Sequence, residues 1–134
     1  MPHAPLDIPK HLGYITSMAW EIEFTDEFRD WWNTLTEKEQ GAIDASVKLL
    51  EEFGPGLGRP HADSLSKMSK HANMKELRVQ IAGDAFRILF AFDPRRVGIL
   101  LMGARKADQK WYRDAVPKAD ALYDDHLRSL QKGR

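Results

Sequence analysis

Residues 75–104, KELRVQIAGDAFRILFAFDPRRVGILLMGA, leave the chain little freedom of fold. Leu77, Val79 and Ile81 alternate with Glu76, Arg78 and Gln80, the two-residue period of a strand with one apolar face. Ala82-Gly83-Asp84 supplies a turn, after which Phe86, Ile88, Phe90 and Phe92 alternate with Arg87, Leu89 and Ala91. Asp93-Pro94-Arg95-Arg96 makes a second turn. The run 97–104 is then apolar almost throughout, as expected of a strand that is central or covered on both faces. A three-stranded meander follows from these periods, with Arg78 and Arg87 planted on its polar rows.

The flanking segments set the class. In MAWEIEF, Trp20, Ile22 and Phe24 alternate with Glu21 and Glu23, which predicts a half-buried first strand. Thr25 is placed to cap a short helix with Asp26 and Glu27 in its first turn. Phe28, Trp31, Trp32 and Leu35 fall on one helical stripe, which assigns these tryptophans to the core rather than to a ligand platform. Thr36 and Glu39 have the spacing of a capping box. Ile43, Val47, Leu50 and Phe53 then recur at helical period until Gly54-Pro55. Residues 54–73 read as one long loop, a length that inside a compact domain often marks function. Pro117 suits the first turn of a last helix carrying Ala119, Leu122, Tyr123, His126, Leu127 and Leu130. The order strand, two helices, loop, meander, helix is α+β. The first strand is expected at a sheet edge, and the helices on one sheet face, with the other face partly open.

The 134 residues suit one domain, read as 18–134 behind a flexible leader at 1–17 that contains three prolines. Met18 is a candidate natural start. The chain has no cysteine, no apolar run of membrane-span length and no signal-peptide pattern, so a cytoplasmic protein without membrane association is expected. The histidines at 3, 11, 61, 71 and 126 lack helical ligand spacing, and no metal or other cofactor is expected.

A formal net charge of zero hides a strong asymmetry. Residues 1–58 carry 4 Lys/Arg against 11 Asp/Glu, and residues 59–113 carry 12 against 5. An anionic partner such as RNA accounts for the basic block, and so does mutual neutralisation of the two halves. Arg78 and Arg87 are expected within reach of one phosphate if they share the open face. Arg105 and Lys106 end the last strand, Lys110, Trp111, Tyr112 and Arg113 follow it, and Lys67, Lys70 and His71 precede the sheet. Their convergence on one concave surface would suit RNA, because guanidinium groups hold phosphate bidentately and aromatic faces stack bases. Taken singly, each has a plainer role: a strand arginine pairs with a carboxylate such as Glu76, and a lone histidine is a hydrogen-bonding side chain.

Several blocks in order, WEIEFTDEFRDWW, EEFGPGLGRPHADSL, HANMKELRVQ, FRILFAFDPRRVGILLMGARK and KWYRDAVPKADALYDDHL, resemble the HigB-like, phage-derived Gp49-like branch of the RelE/ParE toxin superfamily. The resemblance covers residues 18 to about 130. It implies a RelE-like fold and a toxin of a type II toxin–antitoxin module, partnered by a helix-turn-helix, HigA-like antitoxin. It implies an endoribonuclease that cuts mRNA on the ribosome without a metal, by attack of the ribose 2′-hydroxyl on the adjacent phosphate. Arg78 and Arg87 match the family's strand arginines and would hold that phosphate. Arg105 and Lys106 fall where the family carries basic residues. The resemblance leaves His71 or Lys70 as the base, and Trp111 or Tyr112 to stack a nucleobase or orient the hydroxyl. A ParE-like inhibitor of DNA gyrase and a non-catalytic, antitoxin-binding member remain alternatives on the same fold.

Overall fold

The computed structural model describes residues 19–105 and 107–132; the leader at 1–17, Met18 and Lys106 lie outside the described residues. Strand β1 (Ile22–Phe24) leads into helix α1 (Asp26–Trp32), whose cap is Thr25, its Oγ1 accepting from the Phe28 N–H at 3.0 Å. Both reciprocal bonds of the Thr36–Glu39 capping box form at the start of α2 (Glu37–Phe53). β1 is shorter than the alternation predicts. The Trp20 N–H donates to the Glu51 carbonyl at 2.7 Å, so the preceding chain is drawn onto the end of α2 instead of running along a strand.

Three further strands form the meander: β3 (Lys75–Ile81), β4 (Asp84–Phe92) and β5 (Gly98–Ala104), all expected. The loop 54–73 is not wholly loop, however, because β2 (Ala62–Ser64) pairs antiparallel with β3. Three residues are too few to show a period, and only the partner strand reveals them. The sheet order is β1-β5-β4-β3-β2, with β1 parallel to β5 at one edge and the other pairs antiparallel.

One sheet face, carrying Leu77, Val79, Ile81, Phe86, Ile88, Phe90 and Leu100, packs on Phe28, Trp32, Ile43, Val47 and Leu50 of α1 and α2. Full burial of such a side chain contributes roughly 1.5–3 kcal/mol. The second face is less open than expected. Helix α3 (Gln109–Lys132) lays Ala115, Val116, Ala119 and Tyr123 on Leu89, Ala91, Ile99 and Leu101. A bulge helps: pairing steps from Leu89–Met102 to Phe90–Leu100, so Leu101 is extra, and both Leu101 and Met102 join the α3-side core. The end of this face bearing Glu76, Arg78 and Arg87 lies outside that apolar core and meets the first turn of α3 through Tyr112.

Pro117 does not open the last helix. α3 begins eight residues earlier, at Gln109, where the Asp108 carboxylate accepts from the Trp111 N–H at 2.8 Å. An interior proline forfeits one backbone bond, but the burial of Ala115 and Val116 on the sheet holds the turn together. Among the described residues no helix is long and apolar enough to cross a membrane.

The β4–β5 turn is built around Asp93, whose side chain is fully buried. Its carboxylate accepts from the backbone of Arg95 and Val97, from the Arg95 guanidinium and from His126 Nε2 at 2.8 Å. Burial opposes the charge of Asp93, but these donors outweigh it and hold the carboxyl below its usual range. Glu39 is likewise pulled down, to about 2, by Arg105 and the Thr36 backbone, and Asp124 is lowered by Lys70 and His71.

Carboxyls lowered on folding stabilise the fold above their unfolded values and lose that contribution as pH falls through the folded ones. Stability should therefore decline below about pH 4, and Asp93→Asn should lower neutral-pH stability while flattening that acid slope. Urea unfolding between pH 7 and pH 2 measures both effects. The β3–β4 turn makes a second prediction. Ala82 and Gly83 both have positive φ, 51° and 86°, the pattern of a type I′ hairpin in which Ala82 pays a steric penalty. Ala82→Asn should raise stability by about 0.5–1 kcal/mol, read from the denaturation midpoint.

Candidate functional site

The β3–β4 register sets Arg78 directly opposite Arg87, and residues so paired lie on one face of the sheet. Two guanidinium groups about 5–6 Å apart would repel by roughly 3 kcal/mol at an effective dielectric near 20. Glu76, two residues before Arg78 on the same strand and face, supplies the opposing charge. Its side chain is only 4 % exposed, against 29 % for Arg78 and 11 % for Arg87. Arg78 Nη1 donates to Glu76 Oε2 at 2.9 Å, and Arg87 Nε lies 3.7 Å from Oε1.

Tyr112 closes the cluster from the first turn of α3. Its hydroxyl donates to Glu76 Oε1 at 2.5 Å and accepts from Arg87 Nε at 3.2 Å. Burial, and then the hydrogen bond to the Glu76 carboxylate, push the phenol above its usual range, so Tyr112 is a neutral donor. The cap at Asp108 and a bond from the Ala107 N–H to the Ala85 carbonyl fix this turn beside β4.

Two clefts meet at Arg78. One, of about 470 Å³, is lined by Arg59, Asp63, Met68, Glu76, Tyr112 and Arg113 among others. The other, of about 310 Å³, is lined by Arg59, Pro60, Arg78, Gln80 and Arg87. Together they present four guanidinium groups against two carboxylates, an excess that favours an anion. Arg59 is held by Asp63 at 2.6 Å. Neither Arg59 nor Asp63 is legible from sequence as part of a site, because both belong to the segment whose strand β2 shows no period.

The structure gathers Arg78, Arg87, Tyr112 and Arg113 at the two clefts, and the other expected site residues that it describes are not among the residues lining them. Arg105 turns to the α1–α2 side, where it bonds Glu39 at 2.8 Å and the Thr34 carbonyl. His71 and Lys70 both reach Asp124 of α3, at 2.8 Å and 2.5 Å, and neither lines the two clefts. Trp111 is half-buried against the α3-side core. Lys67 and Lys110 are exposed and form no ion pair with the described residues. Lys106 lies outside the described residues.

Residues 30–124 match the family model of phage-derived Gp49-like proteins. The chain is 42 % identical over 105 residues to the toxin candidate HigB3 of Mycobacterium tuberculosis, covering 77 % of this chain and 90 % of that protein. It is 36 % identical over 118 residues to the toxin candidate HigB2 of the same organism, covering 86 % of this chain but 58 % of that protein, so it spans little more than half of HigB2. The fold is similar to that in the archaeal RelE–RelB complex from Pyrococcus horikoshii OT3, with a TM-score of 0.50 at 11 % identity, over 67 % of this chain and 98 % of that one.

Tyr112→Phe removes the hydroxyl that satisfies Glu76 Oε1. Stability should fall by about 1–3 kcal/mol, the cost of a buried charged group short of a partner, measured by urea unfolding near neutral pH.

Proposed function

The chain belongs to the phage-derived Gp49-like family, as a HigB-like member, and from that premise we propose that it is the toxin of a type II toxin–antitoxin module. In this reading it is an endoribonuclease that cuts mRNA on the ribosome, and its partner is a helix-turn-helix antitoxin. The names of its relatives support the toxin role, and RelE with its partner RelB supports the existence of an antitoxin. The observation that carries the nuclease reading is the pairing of Arg78 and Arg87 on one face, beneath clefts that Arg59 and Arg113 also line.

The chemistry is attack of a ribose 2′-hydroxyl on the adjacent phosphorus: the O2′–P bond forms as the P–O5′ bond breaks, giving a 2′,3′-cyclic phosphate and a 5′-hydroxyl, with the proton lost from O2′ passing to solvent water and the one gained by O5′ coming from it. Charge builds on the non-bridging oxygens, and preset cations lower that barrier. Arg78, with donors beyond the one given to Glu76, and Arg113 grip those oxygens. Arg87, deeper and bonded to Tyr112 and the Phe86 carbonyl, supplies field from below. Tyr112 orients the ribose, and the exposed Lys67 and Lys110 attract flanking phosphates. Arg105, bonded to Glu39, and Lys70 and His71, bonded to Asp124, line neither cleft and take no part in this step.

In a translation extract the purified protein should cleave mRNA only when ribosomes are present. Arg87→Ala should reduce cutting by about 10²–10³-fold, the loss typical of one preset donor, with its circular dichroism unchanged. Arg105→Ala should stay within about threefold of the parent, since Arg105 contacts neither cleft. Undiminished cleavage by the Arg87 variant would sink the assignment.

A further inference from the structure

We propose that Glu76 is a positioning residue: its buried carboxylate fixes Arg78 and the Tyr112 hydroxyl, with Arg87 alongside, so that two like charges face a single anion in a set geometry. The proposal deepens the nuclease reading and rests on it for the consequence measured as cleavage.

The geometry is specific. Glu76 lies on β3 diagonally across from Arg87, between the strand arginines and the first turn of α3. Both carboxylate oxygens are engaged, Oε2 by Arg78 and Oε1 by Tyr112, and the side chain has almost no contact with water. A carboxylate so withdrawn is retained against its desolvation cost, which a packed apolar side chain at this position would avoid. What it provides is order. Arg78 gives Glu76 only Nη1, so its remaining donors stay turned to the clefts it lines. Arg87 is held through Nε to Tyr112 and through Nη1 to the Phe86 carbonyl. One carboxylate against two guanidinium groups leaves one positive charge in the cluster. An incoming phosphate therefore meets a cation whose donors are already aimed, and none must be reorganised as charge develops.

Glu76→Gln separates this role from simple attraction or simple stability. The amide keeps the shape and removes the negative charge, so the cleft becomes more positive and less ordered. Binding of a fluorescein-labelled single-stranded RNA oligonucleotide should stay within about threefold of the parent or tighten. Cleavage at saturating ribosomes should fall about 10–100-fold, the equivalent of a lost charge-assisted hydrogen bond. In protein labelled with ¹³Cζ-tyrosine, the Tyr112 resonance should titrate at lower pH in the Gln variant than in the parent. Glu76→Asp keeps the charge but shortens the reach, and should fall between the two on each readout; it carries the same readouts if the Gln variant does not fold. A Tyr112 titration identical to the parent's, or cleavage and oligonucleotide binding that fall in proportion, would overturn the proposal. Should the parent itself leave mRNA intact, the nuclease reading fails, and the Tyr112 titration still decides whether Glu76 organises the cluster.

Discussion

The register between β3 and β4 governs both the core and the site. Seven residue pairs lock it, from Lys75–Phe90 to Ile81–Asp84. A slip of one residue would turn Phe86, Ile88 and Phe90 to the α3 side and drive Arg87 into the packing of α1 and α2. The burial of those phenylalanines and of Leu77 and Ile88 therefore holds Arg87 opposite Arg78 as firmly as it holds the core. The two-residue turn at Ala82-Gly83 accepts a strained alanine to keep this register. Once the register is set, two like charges stand face to face, and Glu76 becomes a requirement of the sheet as well as of the cleft.

The segregation of charge along the chain resolves into both of its possible meanings. Part of it is neutralisation: Arg95 bonds Glu23, and Arg105 bonds Glu39, each joining the basic block to the acidic front. Lys70 and His71 are taken up by Asp124 of α3. After these pairings, Arg113 remains exposed at the cleft, and Arg78 and Arg87 share a single carboxylate beneath it. Part of the remaining positive charge thus stands at the two clefts, where Arg78 and Arg87 of the sheet meet the first turn of α3.

Legibility followed interaction range. Capping at Thr25 and at Thr36–Glu39 depends on groups three residues apart, so it was readable directly. Alternation along β3 and β4 was readable because burial on one face repeats every second residue. Pro117 misled because proline is tolerated inside a helix when neighbours such as Ala115 and Val116 are buried, a condition set by distant strands. β2 was invisible because its three residues take their structure from β3, through Ala62–Leu77 pairing and the Arg78 N–H bonded to the His61 carbonyl.

The candidate site divides along the same line. The two-residue period puts Arg78 and Arg87 on polar rows of neighbouring strands, and Glu76 is visible as a carboxylate within reach, but that the two arginines share a face is decided by the β3–β4 register. Which basic residues gather there was decided by the packing of α3. By starting at Gln109 it brings Tyr112 and Arg113 to the arginines, while its later turns draw His71 and Lys70 away to Asp124. A sequence specifies periodicity and local caps because these act between near neighbours. Choosing among a dozen similar cations requires knowing which carboxylates lie beside them, and only the assembled sheet and helix supply that.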